Sequence, residues 1–319
     1  MKRKNRFLMG VFLIVFCISC EDIFEEDITD KALTVESPLD QSTILGNTVQ
    51  FRWSELEGVT QYKLQVKEDS SNIIILDSTV TETSLTYGLN EGEYNWRVRG
   101  ENSVYNTGYT VDTFFSMLSN EDLSNQTVFL SSPSSDFYTN NSSIILSWGK
   151  LTVANSYSIA IDKTLQNNTV TVFQINDLTD NFHTIDETIL DEDAIYTWKV
   201  SAVNDDSQTN FFSREIFYDT QVPNQPSLSL PSNGDVVENE VEFSWSIASD
   251  SGEVKSNVYS VIEIASDTAF TNIINSITVS AFFENITFSD EGTYYWRVKS
   301  IDEAGNESGT SEVRSVTIQ

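Results

Sequence analysis

The residue types that carry most enzymatic chemistry are scarce in this chain. There is one histidine, His183, in Asp180-Asn-Phe-His183. One imidazole cannot build a multi-histidine metal site, and a Ser-His-Asp triad would have to use it. No Gly-x-Ser-x-Gly turn is present to hold a strained nucleophile. Nor is there a glycine-rich phosphate loop. Paired carboxylates could serve glycoside hydrolysis, but among 48 acidic residues chance pairs say nothing. Three acidic runs could offer oxygen ligands to calcium: Asp191-Glu192-Asp193, Asp205-Asp206 and Asp302-Glu303-Ala304-Gly305-Asn306. None has the EF-hand spacing. The expectation is a protein that is not an enzyme, with no metal site and no cofactor.

Two cysteines remain, Cys17 and Cys20, both close to the N-terminus. They follow a basic start (Lys2, Arg3, Lys4, Arg6) and an uncharged, mostly apolar run from Phe7 to Ser19. That run is shorter than the ~20 apolar residues of a spanning helix and has the order of a signal peptide. Cys17-Ile18-Ser19-Cys20 resembles a lipobox, the recognition site of lipoprotein signal peptidase, with Cys17 standing where leucine is usual. The resemblance implies cleavage before Cys20, a diacylglyceryl group on its sulfur, and anchorage to a membrane through covalent lipid. Five of the seven residues from Glu21 to Asp27 are acidic. This resembles the export signal of surface lipoproteins in some Gram-negative bacteria. It implies an outer-membrane lipoprotein facing outward, with a periplasm-facing one as the alternative. An acidic segment of low hydrophobicity is expected to form a disordered tether.

The rest of the chain repeats. Its six tryptophans fall in pairs, Trp53 and Trp96, Trp148 and Trp198, Trp245 and Trp296. First members are 95 and 97 residues apart, and second members 102 and 98. Pro38, Pro133 and Pro231 precede the first tryptophan of each unit by 15, 15 and 14 residues. Val49-Gln-Phe51-Arg-Trp53 and Tyr94-Asn-Trp96-Arg-Val98, with their counterparts, alternate large apolar and mostly polar residues. Because side chains alternate faces along a strand, this period predicts strands buried on one side. The repeated unit resembles fibronectin type III modules: a proline near the start, a tryptophan on the second strand, a tyrosine-led sixth strand. The fold expected is all-β, three tandem immunoglobulin-like sandwiches of about seven strands each.

The predicted order is a signal peptide (1–19), an acidic lipid-anchored tether (20–32), and modules at 33–117, 127–219 and 223–319. The formal charge of −30, with only 18 basic residues, excludes nucleic acid as a partner, since binding it needs a basic footprint. Arg97, Arg99, Lys199, Arg297 and Lys299 alternate with core residues on the tyrosine-led strands, and are expected to face outward and pair with acids across the sheet. Loops at sandwich ends commonly carry recognition. Tyr105, Tyr109, Phe211 and Phe212 lie between the last two strands of their units and are the candidate contacts for a glycan or protein partner. The function expected is binding or adhesion at the cell surface. The alternative is a structural spacer or accessory subunit of an outer-membrane complex with no ligand of its own. Replacing Cys20 by alanine should abolish metabolic labelling of the chain with a lipid precursor; label persisting on the variant would refute the lipobox reading.

Overall fold

The computed structural model describes residues 25–246 and 248–319. The alternating stretches become strands whose inward residues are buried and whose outward ones are not. In the first sandwich the strands are β1 (Val35–Ser37), β2 (Ser42–Leu45), β3 (Thr48–Trp53), β4 (Gln61–Glu68), β5 (Ile74–Val80), β6 (Ser84–Gly88), β7 (Gly92–Glu101) and β8 (Thr113–Leu118). A three-stranded sheet in the order β1-β3-β6 faces a five-stranded sheet in the order β2-β8-β7-β4-β5.

The second sandwich uses β9 (Leu130–Ser132), β10 (Phe137–Thr139), β11 (Ile144–Trp148), β12 (Ser156–Leu165), β13 (Asn168–Leu178), β14 (Phe182–Ile185), β15 (Ala194–Val203) and β16 (Phe212–Tyr218). The third uses β17 (Leu228–Leu230), β18 (Asp235–Val237), β19 (Glu240–Trp245), β20 (Val258–Ala265), β21 (Ile273–Val279), β22 (Phe283–Thr287), β23 (Gly292–Asp302) and β24 (Arg314–Ile318). Their sheets repeat the same three-plus-five arrangement. These are three tandem immunoglobulin-like β-sandwiches. The chain divides into two compact units, one built on the first sandwich, the other on the second and third.

Each sandwich has eight strand segments where the sequence predicts about seven, because the first strand is split. Its leading part pairs in the small sheet and its trailing part in the large one. The buried landmark prolines sit at that crossing, each after a cis peptide bond: Ser37-Pro38, Ser132-Pro133 and Leu230-Pro231. In the second and third sandwiches the trailing part runs parallel to the last strand, β10 with β16 and β18 with β24.

The tryptophans form the cores. Trp53 and Trp96 lie 6.5 Å apart, and Trp148 and Trp198 lie 6.4 Å apart. In the third sandwich Trp296 packs on Phe243 at 5.0 Å, as Trp96 packs on Phe51 in the first. Trp245 there donates its indole N–H to the Ser260 hydroxyl at 2.8 Å. Each indole buries on the order of 200 Å².

The edge strand of every large sheet carries a bulge at the same place. Val66 and Lys67 face Leu76 and Ile74, leaving Ile75 unpaired. Val172 and Ile274 are skipped in the same way in β13 and β21. A bulge bends an edge strand and spoils it as a template for pairing with another sheet.

The expected tether is not free throughout its described part. Ile28 is fully buried against the first sandwich, and so belongs to it. The polar connector 118–126 also acquires structure: Leu123–Asn125 forms a short 3₁₀ turn with Leu123 buried. Truncating Trp198 to alanine should destabilise its unit by ~3–5 kcal/mol, as removal of large core aromatics does. A loss of less than ~1 kcal/mol, read as the denaturant midpoint shift multiplied by the m-value, would overturn this account of the core.

Candidate functional site

The loop after the tyrosine-led strand has the same construction in all three sandwiches. Bridges Glu101 to Asn106, Val203 to Gln208 and Ile301 to Glu307 close its base. The next residue along is therefore equivalent in each: Asn102, Asn204 and Asp302. The Asn102 amide donates to the carbonyls of Glu26 at 2.9 Å and Gly58 at 3.0 Å. Its oxygen accepts from the backbone N–H groups of Val104 and Tyr105. Asn204 donates to the carbonyls of Glu121 at 2.8 Å and Val153 at 3.2 Å, and accepts from Asp206 and Ser207. One amide thus ties three segments together: its own loop, the loop between the third and fourth strands, and the chain entering the sandwich. Beside it a buried hydroxyl (Thr107, Thr209 or Ser308) accepts from a backbone N–H of the tyrosine-led strand and donates to the carbonyl that follows it.

The third sandwich changes this clasp chemically. The Asp302 side chain has no N–H to give. The entering chain supplies Asp219, twelve residues before its cis proline, as Glu26 and Glu121 stand twelve before theirs. The inserted loop between β19 and β20 supplies Asp250. Single carboxylate oxygens of Asp219, Asp250 and Asp302 lie within 4.8 Å of one another.

Asn306 takes over part of the clasp. It donates to the Asp219 carbonyl at 3.0 Å and to Asp302 Oδ2 at 3.0 Å, and it accepts from Asn140 at 3.1 Å. Asp302 Oδ1 accepts from the Asn306 backbone. Asp250 accepts from the backbones of Ser251 and Ser256. The Asp219 side chain has 0% exposure. Its Oδ1 accepts from Gln221 N–H at 2.9 Å, whereas its Oδ2 has no partner among the described residues. Burial pushes the Asp219 pKa up to about 7; the Gln221 hydrogen bond opposes this, and the charges of Asp302, Asp250 and Asp193 reinforce it. A carboxylate removed from water favours its neutral form unless a positive charge meets it.

The loop aromatics lie in different settings. Tyr109 and Phe211 occupy equivalent positions. Tyr109 lies under two guanidinium groups, 4.3 Å from Arg97 and 4.8 Å from Arg99. Phe211 is 51% exposed. Phe212 begins β16 and packs against the core. Tyr105 is half-buried at the loop tip. The two pairs belong to different sandwiches.

The outward cations pair with neighbouring acids: Arg99 with Glu101 at 2.7 Å, Lys199 with Asp162 at 2.5 Å, Arg297 with Glu263 at 2.7 Å and Lys299 with Glu307 at 2.7 Å. Arg97 bonds Gln65 and lies 3.9 Å from Asp112. Exposed pairs of this kind contribute ~0–1 kcal/mol each. His183 is half-buried, with its ring stacked on Phe173 at 5.2 Å. Cys20, the expected lipid-attachment residue, lies outside the described residues.

No family model and no curated protein matches the chain. Among solved structures it is similar to the FN1–FN3 domains of chicken CNTN1, at 15% identity and a TM-score of 0.46, covering 90% of this chain and 98% of that one. Domains A168–A170 of titin are similar at 12% identity and a TM-score of 0.38, covering 88% and 96%. The fibronectin(III)-like modules of Clostridium thermocellum CbhA give 13% identity and a TM-score of 0.23, over 59% and 94%.

The clasp makes a local prediction. Asn204→Ala leaves two carbonyls without their donor, which should cost about 1–3 kcal/mol. It should also speed cleavage at Glu121 by a glutamate-specific protease. Unchanged cleavage would show that Asn204 does not hold the entering segment.

Proposed function

We propose that this chain is a non-enzymatic lipoprotein, anchored through Cys20 at the outer face of an outer membrane, whose tandem sandwiches bind a protein partner. The observation that carries the reading is a repeated apolar exposure. The edge strand of each large sheet opens with uncovered branched aliphatic side chains: Ile73, Ile74 and Ile75 in the first sandwich, Val170 and Val172 in the second, Ile273 and Ile274 in the third. A chain of charge −30 keeps these groups in water at one place in every module. Contiguous exposed apolar surface is what interaction sites present. The bulge at this place excludes simple strand addition, so recognition there runs through side chains. Branched aliphatics favour a protein surface over a sugar, whose faces stack on aromatic rings.

The spacer reading draws on a different observation. The loops that carry recognition in many sandwiches are engaged here in clasping the entering segment of their own module, through Asn102 and Asn204. The two readings separate in a binding screen of the whole chain against secreted proteins and glycans. Binding to a protein should be weakened at least tenfold by Ile74→Ser with Ile274→Ser, and left unchanged by Tyr105→Ala. No binding at high micromolar concentration favours the spacer. Glycan binding lost with Tyr105→Ala moves the site to the loop aromatics. Protease added to intact cells should digest the modules; full protection would place them in the periplasm.

A further inference from the structure

We infer that the junction between the second and third sandwiches is a binding site for one divalent cation, of the size and hardness of calcium, held by Asp219, Asp250 and Asp302. The inference does not depend on the partner-binding reading above, and it departs from the expectation of no metal site drawn from the sequence.

The third repeat departs from the first two at this place. At the equivalent position the first and second sandwiches place a side-chain NH₂ group, which meets two carbonyl oxygens. The third sandwich places the Asp302 carboxylate there and surrounds it with two more, from the entering chain and from the inserted loop. Donors are replaced by acceptors, yet the segments to be joined remain the same. Like charges within 4.8 Å repel unless a cation sits among them. No lysine or arginine is paired with any of the three among the described residues.

The second observation is independent of the clustering. Asp219 is fully enclosed, and its Oδ2 is left without a hydrogen-bond partner among the described residues. Its neighbours are already committed: the Asn306 amide is spent on the Asp219 carbonyl and on Asp302, and the Gln221 N–H on Asp219 Oδ1. A buried carboxylate oxygen in that position is a ligand atom awaiting a positive charge.

The donor set selects the ion. It is all oxygen and anionic, which suits hard cations over zinc or copper. Calcium binds oxygen at ~2.3–2.6 Å and tolerates irregular shells of 6–8 ligands, so two oxygens on opposite sides of it stand ~4.8 Å apart. Magnesium demands a tighter octahedron at ~2.0–2.1 Å. Bound there, the ion would join the end of β16 to two loops of the third sandwich, as the asparagine amide joins the corresponding segments elsewhere.

The test is a calorimetric titration of the chelator-treated whole chain with CaCl₂, together with thermal unfolding in calcium and in EGTA. One ion per chain is expected, with the transition of the unit holding the second and third sandwiches raised by about 5–10 °C at a hundredfold excess over Kd. Asp302→Asn restores the residue found in the other two loops, so it should fold, bind no calcium and melt at one temperature in calcium and EGTA. Asp219→Asn should abolish the calcium response as well, while Glu303→Gln, beside the cluster, should keep it. Absence of heat at millimolar calcium would overturn the inference, as would a response surviving in both aspartate variants. An equal shift with magnesium would overturn the choice of calcium.

Discussion

Each sandwich encloses its tryptophans between a narrow sheet and a wide one with nothing covalent across them, since the chain's only cysteines are Cys17 and Cys20. Apolar burial must hold the two sheets together. That requirement explains the strict alternation on the central strands, where every second side chain is sealed in. It also explains the split first strand. By crossing at the buried proline, one short segment of chain lines both sheets and closes the side of the core that the narrow sheet cannot cover alone.

Much of this was legible in the residues. Tryptophan, proline and tyrosine recur in one phase because each is fixed by the core it fills, and a core position tolerates few side chains. The bulges were not legible, since Ile75, Val172 and Ile274 look like ordinary members of β-branched runs; only the pairing register exposes them. Ile28 was hidden for another reason. Scattered apolar residues in an acidic segment carry no period, so the burial of Ile28 shows only when the sandwich it caps is in place.

The junction lay between these extremes. Asn102, Asn204 and Asp302 each stand six residues after the second tryptophan of their repeat. The exchange of amide for acid could be seen by aligning the repeats on that landmark. Its meaning could not, because Asp250 comes from an insertion with no counterpart, and Asp219 from the last position of the preceding module. Chemistry assembled from three distant segments has no local motif. The loop aromatics are candidate contacts by sequence position alone; that the face of Tyr109 lies under Arg97 and Arg99 shows only in the structure.

The parallel pairing of β10 with β16, and of β18 with β24, bears on how the chain carries mechanical load. In these two sandwiches the segment near the entrance lies beside the strand at the exit, pointing the same way. Tension drawn along the polypeptide from its two ends would slide such neighbours past each other. Their hydrogen bonds would then be strained together, in shear, and could not be unzipped one at a time. A protein held at one end and tugged at the other would gain resistance to extension from that connectivity alone.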